Sequence, residues 1–403
     1  MKHSHASVRK IDMEKSVRFP QSFPTTAECA FLELLFCTDE VFPEKLEAWA
    51  KRIVFDDLDY AIARLLPLVY MRLRALGIEH PLKGRMQGFY KLAWVKNQRL
   101  LAAVREVTQF LEQQDISVLF VKGIPLVLDA YRDMGARFMG DADLLIHPRH
   151  AKRAVTLLRE HGWKPVNSYT PLPQYFSNES FPRLVKEATF VNSRGVELDL
   201  HWRLFEIEDD GKDALSFDAL WAHSALVTHP TITYRIVAPD DLLLHVLVHG
   251  AAANPHRTLR WVPDAAVLIK EYAIDWDRFV ETAAQGDWNV DVSTAFLFFK
   301  QHGFVKVPGA IEKKLTTLPY TLAERKRYER RASISYAPFG RLPSLWRTYW
   351  LSDAQESGYA RVRGFFPYLA HAWGFERVRD LIPFILHKYQ LRLKLIGPKG
   401  NSS

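Results

Sequence analysis

Four acidic residues in two short stretches carry the chemistry this sequence offers. Gly140-Asp141-Ala142-Asp143 opens an apolar run, Leu144 to Ile146, and in GVELDLHW the polar Glu197, Asp199 and His201 alternate with Val196, Leu198, Leu200 and Trp202. Successive side chains in a strand point to opposite faces, so Asp141 and Asp143 project together, as do Glu197, Asp199 and His201. Two neighbouring strands of this pattern would present three or four carboxylates to one small volume. Carboxylates held that close repel unless they are protonated or bridged by cations. Hard oxygen ligands suit Mg²⁺ or Mn²⁺. Such a centre is equipped for metal-assisted phosphoryl or nucleotidyl transfer.

The elements that must position these residues follow from the pattern around them. Val118 to Val121 reads as a buried strand ended by Lys122-Gly123, followed by a helix over 124–132, a strand over 142–146 and a helix over 149–161. In that last helix Val155, Leu157 and Leu158 face inward, and Gly162 stops it. Residues 163–182, with four prolines, read as a surface excursion that shapes an acceptor site. Leu184–Val191, the turn Asn192-Ser193-Arg194-Gly195 and Val196–Trp202 then form a hairpin with Asp199 in mid-strand. Lys122 offers a compact ammonium to phosphate, and Gly123 lets a triphosphate approach the backbone. Arg137 can fork onto phosphate oxygens; its structural alternative is a salt bridge to Asp133 or to the acidic cluster. Glu197 is read as a metal helper or a lysine partner, and His201 as a histidine that orients a carboxylate.

This arrangement resembles the minimal nucleotidyltransferase fold of the polymerase-β-like enzymes, and within it a bacterial group known as uncharacterised nucleotidyltransferases. The resemblance rests on Lys122-Gly123, Arg137, Asp141, Asp143, Asp199, His201 and Trp202, and covers about residues 95–205. The chain departs from the wider superfamily in having Lys-Gly where Gly-Ser is usual, and in a long spacer between Gly123 and Asp141. The resemblance implies an α/β (α+β) fold: a small mixed sheet flanked by N- and C-terminal helical regions. It implies transfer of a nucleoside monophosphate from an NTP to an acceptor hydroxyl, with Asp141, Asp143 and Asp199 as catalytic and metal-binding residues. Lys122, Gly123, Arg137 and Gly140 would bind the nucleotide, and the cofactor would be Mg²⁺ or Mn²⁺. The segments APDDLLLHVLVHG and LRWVPDAAVLI resemble the helical region that follows the catalytic unit in the same group; there Asp264 is expected to cap a helix behind Pro263, in preference to reaching the acceptor.

The rest of the chain sets the frame. With 403 residues, 48% hydrophobic and 13% aromatic, it is long enough for two or three domains with their own cores. The division expected is an N-terminal arm and helical region over 1–95, a catalytic core over 96–205 and a C-terminal helical region over 206–403. Within the first, 1–24 reads as a mobile arm, Thr25 to Glu28 as a capping start, 44–76 as helical, and 86–111 as one or two helices. From 206 onward the chain reads as mainly helical, with a hinge at 209–213 and helices at about 214–223, 239–253, 261–273, 275–285 and 290–301. ERKRYERR (324–331) reads as a basic loop, and 378–395 as a basic amphipathic helix that packs on its own domain in preference to a membrane surface.

A net charge of +8 and a pI near 9.3 favour an anionic partner. A nucleoside triphosphate fits; RNA is compatible with the charge, but no basic run interleaved with aromatics marks it. Cys29 and Cys37 have no zinc spacing, the N-terminus lacks a secretory core and no apolar run approaches a bilayer span, so cytoplasmic residence without stable membrane insertion is expected. His245 and His249 lie i, i+4, but the intervening Val246-Leu247-Val248 lacks the glutamate of a zinc protease. Two other classes compete: a nucleotide-binding module without turnover, and a nucleotide-sugar glycosyltransferase. The acceptor (small molecule, RNA or protein) is left open.

Overall fold

The computed structural model describes residues 19–20, 23–166, 177, 179–205, 214–251, 258–333, 342–352, 358–373, 375 and 377–386. Most of the expected N-terminal arm, the hinge at 209–213, the middle of the proline-rich excursion and residues 387–395 of the expected last helix lie outside these. Seven strands occur among the described residues: β1 (Val118–Phe120), β2 (Ala142–Ile146), β3 (Lys164–Pro165), β4 (Glu187–Val191), β5 (Glu197–His201), β6 (Ala225–His229) and β7 (Ile232–Ile236). Parallel and antiparallel pairings both occur, and helices make up most of the remainder, so the mixed α/β class expected from the sequence is the one observed. The chain forms two compact units, Met1–Leu145 with Asp209–Ile334, and Ile146–Glu208 with Ser335–Ser403.

In the first unit, helix Thr26–Phe36 begins with the expected capping box. Thr25 Oγ1 accepts from the Glu28 amide at 3.3 Å, and the Glu28 carboxylate accepts from the Thr25 amide at 2.6 Å. The stretch expected as one or two helices is a single 31-residue helix, Lys83–Gln113, which delivers the chain to β1. Leu119, Phe120 and Val121 are fully buried, as are Leu144 and Leu145 on β2. Burial on both faces explains why these strands read as continuous apolar runs. β1 pairs in parallel with β7, with Phe120 opposite Ile236. After β1 the chain turns through Gly123–Pro125 into a wider helical turn, Leu126–Ala130, where Asp129 accepts a 2.5 Å hydrogen bond from the Tyr234 hydroxyl.

The C-terminal part of this unit corrects the sequence reading in two places. Residues 225–236, given no element in a region read as mainly helical, form an antiparallel hairpin of β6 and β7, with Val227 opposite Tyr234. Ala225, Leu226 and Thr228 face solvent, so β6 has no apolar stripe to betray it. The basic segment 324–331 is not a loop but part of helix Leu322–Ser333. The expected helices appear as Phe217–Ala222, Pro239–Ala251, Trp261–Glu271, Trp276–Gln285 and Asn289–His302. Their shared core is aromatic: the Trp261 ring lies 5.7 Å from Phe298 and 5.3 Å from Phe299.

In the second unit, helix Ala151–Glu160 buries Ala154, Val155 and Leu158, while Leu157 stays half-buried. β4 and β5 pair antiparallel across the expected turn, with Glu187 opposite His201, Thr189 opposite Asp199 and Val191 opposite Glu197. The turn is held by Asn192, whose Oδ1 accepts from the amides of Arg194 (2.9 Å) and Val196 (3.0 Å), while Gly195 takes the left-handed conformation at φ +72°. Leu198, Leu200 and Trp202 are fully buried, and Trp202 donates its indole N–H to the Val185 carbonyl. No helix among the described residues is long and apolar enough to cross a membrane.

Candidate functional site

In the first unit the acidic motif is built outward from Lys122. This residue follows β1 with φ +53° and ψ −111°, a conformation that non-glycine residues rarely adopt. The backbone turn swings its ammonium to 2.5 Å from the Asp143 carboxylate. Asp143 is only 5% exposed, so its charge needs this cation or another. Gly123 follows and is also buried. A Cβ there would come within 3.0 Å of Met139 Sδ and 3.2 Å of an Arg137 nitrogen, so a glycine is needed for the loop 134–141 to close against the turn.

Arg137 does fork onto a carboxylate, and the carboxylate is Asp264. Its Nε lies 2.8 and 3.1 Å from the two Asp264 oxygens, and a terminal nitrogen 2.9 Å from one of them. Tyr131 adds a hydroxyl donor at 3.0 Å. Burial alone would weaken the guanidinium's hold on its proton; Asp264 outweighs it and the pKa rises. Asp264 therefore serves Arg137 and does not cap its own helix, Trp261–Glu271, whose first turn has no side-chain cap. The expected alternative for Arg137, a bridge to Asp133, is replaced by this more distant partner. Asp133 instead accepts from the Gly135 amide and the Tyr90 hydroxyl.

Asn97, which carried no motif in the sequence, positions the loop. It is fully buried on the long helix, donates to the carbonyls of Met134 (2.7 Å) and Arg137 (2.8 Å), and accepts from the Met139 amide (3.1 Å). One side chain thus fixes the residues that lead into Gly140 and Asp141. A lone asparagine on the apolar face of a helix was the one available signal, since burying an amide requires several partners. Asp141 itself is half-buried, and Gly140 is open: a Cβ there would meet only an Arg64 nitrogen, at 3.9 Å.

In the second unit Asp199 is half-buried in mid-strand, Glu197 is exposed beside the turn and His201 is fully buried. His201 Nδ1 sits 2.9 Å from the Glu187 carboxylate, which also lies 2.5 Å from the Lys186 ammonium. Glu187 was missed by motif reading, yet counting residues back from the Asn192–Gly195 turn places it opposite His201. The expected alternation holds: the acidic and imidazole side chains share one face of β5, and the apolar set occupies the other.

The class is a mixed α/β protein with a strained turn after β1 and acidic residues at the start of β2. Residues 60–302, more than half of the chain, match the family described as uncharacterised nucleotidyltransferases, and the protein belongs to that family. A solved crystal structure, that of an antigenic nucleotidyltransferase-like protein from Paracoccidioides brasiliensis, is similar at 13% identity with a TM-score of 0.35, covering 53% of this chain and 95% of the other. No curated protein matches.

Proposed function

We propose that this protein moves a nucleoside monophosphate from an NTP to an acceptor hydroxyl and releases pyrophosphate, with residues 96–205 as its catalytic core. The observation that carries the reading is the nearly buried Asp143, placed two residues after Asp141 and matched to Lys122 on a strained turn. Family membership supports it independently.

Asp141, Asp143 and Asp199 would hold divalent cations, Mg²⁺ or Mn²⁺, with His201 orienting a carboxylate. The donor chemistry fits a hard cation, because it is dominated by carboxylate oxygen. When bound, such ions acidify the acceptor hydroxyl and offset charge on the leaving pyrophosphate. Asp199 takes the acceptor proton, its mid-strand backbone keeping the carboxylate oriented. Lys122 neutralises phosphate charge when it leaves Asp143. Arg137, bound to Asp264, aligns the loop that carries Asp141. Glu197, exposed at the turn end of β5, steers the ions from outside. The net charge of +8 favours an anionic substrate or acceptor.

The test is incubation of the full chain with each α-labelled NTP and an extract fractionated into RNA, protein and small molecules. Label should transfer to one fraction in the presence of Mg²⁺. Asp141→Asn and Asp143→Asn should fold normally and transfer nothing above background. Turnover near the unsubstituted rate in either variant would overturn the assignment. Stabilisation by UDP-sugars but not by NTPs would redirect it to glycosyl transfer.

A further inference from the structure

Two more arginines surround the same loop, and their bonding leaves them far from satisfied. Arg64, from the N-terminal helices, donates to the Phe138 carbonyl at 3.4 Å; Arg260, just before helix Trp261–Glu271, donates to the same carbonyl at 2.8 Å. A guanidinium has five N–H donors, and one carbonyl oxygen is a poor match for two of them. The Nε of Arg64 and the Nε of Arg260 are both buried with no acceptor. Neither makes an ion pair among the described residues, because Asp264, the nearby carboxylate, is held by Arg137. Lys96 adds a fourth cation, its ammonium 4.9 Å from the centre of the Phe138 ring.

Concentrating positive charge here is unfavourable without an anion. Burial, followed by the charges of Arg137 and Arg64, pulls Arg260 down to about 9, and burial lowers Arg64 as well. Arg64 borders the open position at Gly140, where a Cβ would meet only its terminal nitrogen, at 3.9 Å. Asp264 and Asp141, whose charges act on both arginines, supply less negative charge than the four cations carry.

We infer that Arg64 and Arg260, assisted by Lys96, form the seat of the triphosphate tail, with phosphate oxygens accepting the free guanidinium N–H groups above Gly140. This inference rests on the proposed nucleotidyl-transfer reading for its choice of anion. It also divides the arginine labour: Arg137 is a positioning residue bound to Asp264, while Arg64 and Arg260 touch the substrate. Planar, multiply donating guanidiniums suit neighbouring phosphates better than an ammonium does.

The experiment uses inorganic tripolyphosphate with the full chain in chelator, so that metal binding plays no part. Calorimetry and thermal melting are run on the unsubstituted protein, on Arg64→Ala, Arg260→Ala, Arg64→Lys and Arg260→Lys, and on Arg159→Ala as a surface-charge control. Binding should weaken about tenfold or more in each alanine variant, the loss of at least one charge-assisted hydrogen bond, and less in the lysine variants. The control should bind as the unsubstituted protein does. The lysine variants should melt near the unsubstituted protein in anion-free buffer and gain less from tripolyphosphate. Equal binding across the set, or loss explained by unfolding of every Arg64 and Arg260 variant, would overturn the assignment. Transfer assays on the same proteins separate the two proposals. Active variants with an unchanged KM for NTP sink the seat and leave transfer standing; arginine-dependent tripolyphosphate binding in a protein that transfers no nucleotide does the reverse.

Discussion

Lys122 is the residue at which backbone strain and charge meet. Its positive φ costs about 1–3 kcal/mol wherever a side chain is present, and glycine would relieve that cost while removing the ammonium from Asp143. Two substitutions therefore separate the effects. Lys122→Ala keeps the strain and loses the charge, whereas Lys122→Gly loses both. We expect both to abolish transfer, with the glycine variant more stable than the alanine variant by about 1 kcal/mol in chemical denaturation. Equal stability, or alanine the more stable, would mean the turn is not strained. The sequence showed that a lysine and a glycine end β1. It could not show which of them takes the unusual conformation, because glycine was the natural candidate and Gly123 proved to be needed for close packing instead.

At the level of elements, helix Asn289–His302 offers a pH-dependent test. Its Val290 amide donates to the Glu324 carboxylate at 2.9 Å. Glu324 is 2% exposed, and burial raises its pKa from 4.5 to about 7 against the pull of that bond. The folded state thus holds the proton more tightly than the unfolded chain does. The associated stability is complete below about pH 4.5 and is lost as pH rises through about 7. Glu324→Gln keeps the acceptor and removes the titration. Its melting temperature relative to the unsubstituted protein should rise between pH 5 and pH 8; a constant difference across that range would refute the assignment. Elements were legible where their patterns were one-sided. The β4–β5 hairpin, with its turn chemistry and alternating strands, was read to within a few residues at each end. The β6–β7 hairpin was missed because β6 exposes most of its side chains and its connection, Pro230-Thr231, is not a common two-residue hairpin turn.

For the whole molecule, linkage supplies the prediction. A ligand that binds only the folded chain stabilises it by mass action, by about 2.7 kcal/mol at a hundredfold excess over Kd. An NTP with Mg²⁺ should therefore raise the melting temperature more than either alone, and Asp143→Asn should remove the metal-dependent part. The absence of any shift with all four NTPs would argue against nucleotide as the ligand. At this scale the sequence was least legible. The acidic motif announced itself within a few residues, but the partner that fixes its loop did not: Arg137 and Asp264 are 127 positions apart. No local periodicity encodes such a pairing.

That separation has a consequence for how the protein is made. The ribosome adds roughly 5–20 residues each second, so the Arg137 guanidinium exists for several seconds before its counter-ion has been synthesised. β7, which pairs with β1, also emerges late. Until Asp264 has followed, 127 positions later, Arg137 lacks the carboxylate it grips in the folded protein. A fragment cut at residue 205 would lack both Asp264 and β7, the partners of Arg137 and β1.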